Sequence, residues 1–247
     1  MKRFPKNAHR LFVQTIPDVG SQLEIDAISC RVLRVLRLQD GDEIHLINGR
    51  GQYAKAVLTQ TKKQSYVARI EHRQTQDFER PRIHLVQGLL KADKADWIVQ
   101  KTTELGVSSI SFVCTRYAVS MKKPKIVERW TKIAQEACRQ SGCLYLPNIQ
   151  YYTSLDFLWE ALPKRSYNII CDESATETGL PELLGQISES NTVDLVLAVG
   201  PEGGWHEKEI LQFHEKSFKS SMLHANILRA ETAAVVSVAV ATMIVLK

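Results

Sequence analysis

The feature that most constrains the fold is an apolar stretch that runs directly into a glycine-rich turn. Residues 195–199 are all apolar, and the sequence Gly-Pro-Glu-Gly-Gly follows at 200–204. A short apolar run that ends in a turn is typical of a strand buried on both faces of a parallel sheet. A helix is predicted at 207–214. Open α/β sheets bind ligands at the carboxyl ends of their strands, so this turn is predicted to bind a ligand, the alternative being a tight turn without one.

The composition of the turn limits the kind of ligand. No Lys-Ser or Lys-Thr pair follows the glycines, and their spacing is not that of a dinucleotide-binding loop. Phosphate-binding loops of the two common types are therefore disfavoured.

The chain from residue 82 onward alternates between strand and helix patterns. This alternation predicts a parallel sheet covered by helices, which is an α/β fold. The apolar segment 233–246 is predicted to be a buried terminal helix, because it is shorter than the ~20 residues that span a bilayer. The predicted strands are 83–87, 109–114, 168–171 and 193–199, and the predicted helices are 93–105, 127–139, a short one near Leu180, and 207–214.

The first part of the chain has a different pattern. Short strands are predicted at 10–15, 43–47, 53–58 and 65–70, with one amphipathic helix at 26–38, and together they suggest a small β-barrel. A polar stretch then separates this part from the rest. The predicted organisation is a small barrel at 1–73, a linker at 74–81 and a catalytic domain at 82–247.

The net charge of +5 is carried entirely by the first third of the chain. Residues 1–80 hold 14 lysines and arginines against 9 acidic residues, whereas residues 81–247 hold 18 of each. A polyanion such as RNA would be attracted to that end, although a solvated basic surface is an alternative interpretation.

The five cysteines favour a reducing location. They contain no C-x-x-C pair and no zinc-ligand spacing, so no metal is expected. Cys138 and Cys143 are interpreted as small residues near a helix end, with a redox pair as the alternative. No apolar segment follows Lys2 and Arg3, so we expect a cytoplasmic protein without a membrane segment.

A second motif lies at the entry of the terminal helix. The segment 227–234 is apolar except for Arg229, Glu231 and Thr232. The polar trio is consistent with helix capping. Charged groups beside so apolar a segment also need partners, which favours a site.

Taken together, these motifs resemble the RsmE family, the small-subunit ribosomal RNA uridine-N3 methyltransferases of the SPOUT class. The resemblance rests on the turn at 200–204, on Ile-Leu-Arg-Ala-Glu-Thr-Ala at 227–233 and on Gln-Lys-Thr-Thr-Glu-Leu-Gly-Val at 100–107. Weaker matches at 32–42 and 129–138 extend it over essentially the whole chain. The loop before Ile227 departs from the family pattern, with His224 where glycine is usual and Asn226 where arginine is usual.

The resemblance implies a fold, a cofactor and partners. The expected fold is a PUA-like β-barrel followed by a SPOUT-type parallel sheet with a C-terminal trefoil knot. The expected cofactor is S-adenosylmethionine, bound inside the knot. The expected assembly is a homodimer with the active site near its interface. The expected reaction is methylation of N3 of a specific uridine, and the substrate is 16S ribosomal RNA or the assembled small subunit.

The site residues follow from the matched motifs. Catalytic roles are expected for Arg229, Glu231 and Glu202. Cofactor binding is expected from the residues of the two C-terminal motifs: Leu197, Val199, Gly200, Pro201, Glu202, Gly203, Gly204, Leu223, Ile227, Leu228, Thr232 and Ala233. RNA contacts are expected from basic residues: Lys2, Arg3, Arg10, Arg34, Arg37, Lys94 and Lys101.

Two other functions stay open at this point. One is a SPOUT methyltransferase that acts on another RNA nucleotide. The other is an RNA-binding assembly factor that keeps the fold without the activity, although such a factor has no need of the two C-terminal motifs.

Overall fold

The structure, a computed structural model, describes residues 8–62, 65–78, 81–118, 125–175, 178–187 and 193–245. These residues form two compact units. The first contains the described residues up to Phe78 together with Gln135–Leu146, and the second contains the others. Lys2 and Arg3, which were predicted to bind RNA, lie outside the described residues.

The first unit is built on a five-stranded sheet and one helix. The strand order is β1-β3-β4-β5-β2, with β1 parallel to β3 and every other pair antiparallel. Alternate residues of the long strands point into a core that includes Leu46, Leu58 and Ile70. The elements are β1 (Arg10–Phe12), β2 (Gln22–Glu24), α1 (Ala27–Val35), β3 (Glu43–Ile47), β4 (Gln52–Lys62) and β5 (Ser65–Thr75).

Helix α1 begins at a clear cap and ends earlier than its sequence pattern predicts. The Asp26 carboxylate accepts hydrogen bonds from the backbone N–H groups of Ile28 and Ser29, both at 2.9 Å. The helix ends at Val35, and Arg37 adopts a left-handed conformation with φ of 58°. The prediction of a helix at 26–38 is therefore wrong at its C-terminal end, and Arg37 lies outside the helix.

The second unit is a six-stranded parallel sheet with helices, and it confirms the predicted α/β class. The strand order is β11-β9-β10-β6-β7-β8, and every pair is parallel. The elements are β6 (Ile83–Gly88), α2 (Ala92–Glu104), β7 (Ser109–Val113), α3 (Ile126–Ser141), β8 (Asn148–Tyr152), α4 (Leu155–Ala161), β9 (Ser166–Cys171), α5 (Leu180–Gly185), β10 (Asp194–Val199), α6 (Glu207–Glu215), β11 (Lys219–Ser221) and α7 (Ala230–Val245).

The central strands explain the apolar run in the sequence. Strand β10 lies between β6 and β9, and its residues 195–199 are all buried. Side chains on both faces of β10 are covered, so neither face needs polar residues. Helix α7 packs against α2 and α5 and also contacts β6 and β10. No helix in the described part of the chain combines the length and the apolar character needed to cross a membrane.

Several elements were missed or misplaced by the sequence patterns. Strands β2, β8 and β11 and helix α4 were not predicted, because they are short and β11 is Lys-Ser-Ser. Helix α7 begins at Ala230, three residues before the apolar run, so Glu231 and Thr232 lie in its first turn. Strand β5 continues to Thr75, so the first two residues of the predicted linker are strand.

A histidine links three neighbouring strands at the edge of the sheet where the strands begin. His84 on β6 has its Nδ1 atom 2.7 Å from Ser109 Oγ on β7 and its Nε2 atom 3.5 Å from Asp194 Oδ2 on β10. Burial lowers the pKa of His84, and this effect outweighs the Asp194 carboxylate, which raises it. The imidazole is therefore neutral in the folded protein at neutral pH.

This neutral histidine makes the stability depend on pH. Because the folded-state pKa lies below the ordinary value of 6.5, the contribution of His84 is present above that pH and is lost as the pH falls below it. Chemical denaturation between pH 7.5 and pH 5 should show the wild type losing stability faster than His84→Gln. The matched control is His72→Gln, at an exposed histidine of β5. Parallel curves for the wild type and His84→Gln would contradict the prediction.

Candidate cofactor-binding site

A pocket of about 610 Å³ lies at the carboxyl ends of β9 and β10. Because these two parallel strands are neighbours, the loops that follow them meet at one edge of the sheet. Residues 171–174 follow β9, residues 199–205 follow β10, and residues 222–230 lead into α7. Lys94 of α2 completes the wall.

The glycine-rich turn is shaped by the end of strand β6. The buried Gln87 amide donates from Nε2 to the carbonyls of Val199 at 3.2 Å and Gly200 at 2.9 Å. At Gly88 a Cβ atom would lie only 2.4 Å from Pro201 Cδ, so the backbone of β6 approaches the turn as only glycine allows. The start of the turn is therefore held by groups that do not line the pocket.

The exit from the turn is fixed by the start of helix α6. Its N-cap is His206, whose Nδ1 atom accepts from Lys208 N–H at 3.1 Å. The Glu209 carboxylate accepts from the backbone N–H groups of His206 and Arg116, both at 2.8 Å. This capping box ties the segment after β7 to the same helix end.

One lysine joins two of the predicted catalytic carboxylates. Lys94 Nζ lies 3.1 Å from Glu202 Oε1 and 3.5 Å from Glu231 Oε2. The hydrogen bond to Glu202, together with the two negative charges, raises the pKa of Lys94. Lys94 is therefore a permanent cation at neutral pH, and it holds the turn of β10 to the first turn of α7.

The remaining charges of the pocket are mostly negative. Asp172, Glu173 and Glu207 line it in addition to Glu202, whereas its cationic side chains are Lys94 and Arg229. Burial raises the pKa of the Cys171 thiol to about 12, so this group is neutral. The excess of carboxylates favours a ligand that carries positive charge.

The structure brings together most of the residues predicted to bind the cofactor. Glu202 and Arg229 also line the pocket, while Glu231 contacts it through Lys94. Leu197 is buried within β10, and Thr232 lies in the first turn of α7. The predicted residues that line the pocket are Val199, Gly200, Pro201, Glu202, Gly204, Leu223, Ile227, Leu228 and Ala233.

Gly203 faces away from this set. A Cβ atom there would lie 3.0 Å from Tyr117 Cβ, so its neighbour is the segment after β7. Gly204, by contrast, has a φ of +69°, and a Cβ atom built there would lie 3.5 Å from Oε1 of Glu173, which lines the pocket.

Sequence reasoning missed the loop after β9. Residues 171–174 line the pocket, and the Asp172 carboxylate accepts from Ser174 N–H at 2.9 Å to form a turn. The strand at 168–171 is predicted from the sequence, but no local pattern shows that it pairs with β10 and so brings this loop beside the glycine turn. The two departures from the family pattern form a turn as well, since His224 Nδ1 accepts from Asn226 N–H at 3.0 Å.

The residues predicted to contact RNA have varied surroundings. Arg34 and Arg37 are exposed. Arg10 donates from NH1 to the carbonyls of Arg139 at 3.2 Å and Gln140 at 2.9 Å, at the C-terminal end of α3. Lys101 pairs with Glu104 on its own helix, at 2.9 Å. Lys94 is part of the pocket described above.

Within the described residues, no group of three or more histidine, cysteine or acidic side chains is arranged to hold a metal.

Family models match both parts of the chain. The RNA methyltransferase domain family matches residues 78–242, and the RNA methyltransferase PUA domain family matches residues 32–71. The first unit is therefore a PUA-like domain, and the second is an RNA methyltransferase domain with a parallel sheet.

Individual relatives agree with these matches. Ribosomal RNA small subunit methyltransferase E of Bacillus subtilis is 31% identical over 209 residues, which are 82% of each chain. The crystal structure of a Ribosomal RNA small subunit methyltransferase E from Neisseria gonorrhoeae, bound to S-adenosylmethionine, is 31% identical and has a TM-score of 0.84, covering 94% of this chain and 96% of that one. A Legionella pneumophila protein in complex with the same cofactor is 26% identical, with a TM-score of 0.83 and coverages of 96% and 98%.

The resemblance inferred from the motifs is thereby confirmed, and the chain belongs to the ribosomal RNA small subunit methyltransferase E family.

Proposed function

We propose that this protein transfers a methyl group from S-adenosylmethionine to N3 of a specific uridine in 16S ribosomal RNA. The observation that carries the proposal is the pocket at the ends of β9 and β10, framed by the two motifs that mark the family. The related protein from Neisseria gonorrhoeae, which covers nearly all of this chain, is bound to the same cofactor.

The residues of the pocket fit this cofactor. S-adenosylmethionine carries a sulfonium and an ammonium group, which suit the acidic lining of Asp172, Glu173 and Glu207. Its adenine ring requires an apolar wall, and Leu228 and Ala233 supply apolar surface there. A pocket of about 610 Å³ falls within the size range of small-molecule sites.

The loop before α7 supports the proposal that the C-terminal segment forms a trefoil knot. Met222 N–H donates to the carbonyl of Thr178 at 3.1 Å, and Leu180 N–H donates to the carbonyl of Met222 at 3.2 Å. The segment thus passes beside the chain that leads into α5 before it reaches α7. Residues 222–230 line the pocket after this point.

S-adenosylmethionine supplies an electrophilic methyl group when bound, and the residues of this chain must admit and position the base. Uracil N3 lies on the pairing edge, so the base must be unpaired or flipped out before it can reach the pocket. N3 also carries a proton that must leave. Lys94 stays protonated and cannot accept it. We assign Arg229 to positioning of the base or its phosphate, and Glu202 and Glu231, held by Lys94, to the polar organisation of the site.

The basic first unit is proposed to bind the RNA, either as free 16S ribosomal RNA or in the assembled small subunit. Arg34 and Arg37 are exposed there, and Lys2 and Arg3 lie on the same part of the chain. Arg10 is a weaker candidate than its charge suggests, because its guanidinium caps α3. Because the proposed substrate is ribosomal, a cytoplasmic location is part of the proposal.

The proposed function is tested with purified protein, labelled S-adenosylmethionine and small ribosomal subunits or 16S ribosomal RNA that lack the modification. Digestion of the RNA to nucleosides and mass spectrometry should reveal 3-methyluridine at one position. Methylation of a different nucleotide would correct the target. Cofactor binding without any transfer to either RNA would instead indicate a silent RNA-binding factor.

Blocking the pocket should abolish cofactor binding. Ala233 lies in the first turn of α7 and lines the pocket, so Ala233→Phe places a ring in the space proposed for the cofactor. Titration calorimetry should show the affinity for S-adenosylmethionine reduced about tenfold or more, or by at least ~1.4 kcal/mol. Ala161→Phe, at an exposed site on α4, is the control. Unchanged affinity in a folded Ala233→Phe protein would place the cofactor elsewhere.

Removing the cation between the carboxylates should impair catalysis more than binding. In Lys94→Met, Glu202 and Glu231 lose their common partner, and Glu231 is a side chain only 15% exposed. We expect kcat for methyl transfer to fall about tenfold or more, because the polar groups of the site are no longer held in place. The matched control is Lys91→Met, at the exposed N-cap of the same helix. Equal kcat values for the two variants would refute the role of Lys94.

A homodimer is proposed, with part of its interface on helix α7. Met243, an apolar residue of this mostly apolar helix, is 75% exposed in the single chain. Sedimentation velocity at micromolar concentration should give twice the mass of one chain for the wild type and a shift towards the monomer for Met243→Glu. Leu211→Glu, at a residue of α6 that is 61% exposed, should remain dimeric. A monomeric wild type would disprove the proposal.

A further inference from the structure

An aromatic side chain lies beside the glycine-rich turn, on the side that faces away from the pocket. Tyr117 belongs to the segment that follows β7, and it is 50% exposed. Its Cβ atom is 3.0 Å from the position of a Cβ built on Gly203. The centroid of its ring is 5.7 Å from that of His206, with the planes tilted by 51°.

The backbone around Tyr117 is held firmly although the ring is exposed. Arg116 N–H donates to Glu209 Oε1 at 2.8 Å, and the other oxygen of this carboxylate accepts from His206 N–H. Ala118 N–H donates to the carbonyl of Thr115 at 3.1 Å. One carboxylate therefore joins the tyrosine segment to the end of the glycine turn.

Glycine at position 203 allows Tyr117 to lie close to the turn. Because a Cβ atom at 3.0 Å would be closer than nearly all real contacts, a larger residue would push Tyr117 away from the turn. The two residues beside Gly203 in the chain, Glu202 and Gly204, both line the pocket, whereas Gly203 contacts Tyr117. The tyrosine thus lies directly against the turn that separates it from the pocket.

A half-exposed tyrosine contributes little to the core. Trp205, two residues further along the turn, is only 9% exposed and packs on Phe213 with a centroid distance of 4.6 Å. Tyr117 does not belong to that cluster in the described residues. Single exposed aromatic residues are common, but one whose backbone is hydrogen-bonded beside a ligand site offers a flat face to a ligand.

We propose that Tyr117, supported by His206, is a stacking platform for a base of the RNA substrate, beside the glycine-rich turn on the side that faces away from the pocket. The inference rests on the proposed function and goes beyond it by naming a residue that binds the substrate base. Unpaired RNA bases stack on aromatic side chains in many protein complexes, and the loss of such a stack weakens binding by roughly 5- to 150-fold.

The experiment compares Tyr117→Phe, Tyr117→Leu and the wild type. Phenylalanine keeps the aromatic face, whereas leucine keeps apolar bulk without it. We expect Tyr117→Leu to raise the KM for RNA and to weaken direct RNA binding by roughly 5-fold or more, whereas Tyr117→Phe stays within about twofold of the wild type. The affinity for S-adenosylmethionine, measured by calorimetry, should be the same in all three. Phe157→Leu, at an exposed aromatic residue of α4, is the control.

The outcomes separate this inference from the function on which it rests. If the wild type forms 3-methyluridine and Tyr117→Leu keeps the wild-type KM and RNA affinity, the platform is overturned and the proposed function stands. If Tyr117→Phe is as impaired as Tyr117→Leu, the hydroxyl is the important group and stacking is refuted. If the wild type modifies no RNA, the proposed function fails and the platform fails with it.

Discussion

The parallel pairing of β6, β10 and β9 is the constraint on which the rest of the structure depends. Because these strands are parallel neighbours, their carboxyl ends meet at one common edge of the sheet, where the loops that follow them lie together. The backbone groups at that edge still need hydrogen-bond partners. Gln87, fully buried, provides a donor for the carbonyls of Val199 and Gly200. Hydrogen bonds therefore tie the start of the glycine turn to the end of the sheet.

The second constraint is the distribution of charged side chains around the pocket. On one side Lys94 holds Glu202 and Glu231 together, which joins the turn after β10 to the first turn of α7. On another, Asp172 and Glu173 belong to the loop after β9. Charged groups from five segments thus line one pocket: α2, the loop after β9, the turn after β10, α6 and the segment that leads into α7. A cofactor that carries both positive charge and an apolar ring satisfies this arrangement better than a phosphate would.

The fold class and the two C-terminal motifs could be predicted from the sequence, because burial on both faces of β10 and the glycines after it leave local patterns. The loop 171–174 was missed because its role comes from the pairing of β9 with β10, which no local pattern records. The roles of charged side chains also depend on distant parts of the chain. Arg10 and Lys94 were predicted to contact RNA, yet Arg10 caps a helix 129 residues away in the chain, and Lys94 bridges two carboxylates.

The central claim is that the three loops that follow β9, β10 and β11 bind S-adenosylmethionine. Hydrogen–deuterium exchange with and without the cofactor tests it most directly, because it reports on backbone opening in each loop separately. The account predicts slower exchange in the peptides that contain 171–174, 199–205 and 222–230, with little change in the strands of the first unit. Protection confined to other segments, with these three loops unchanged, would contradict it.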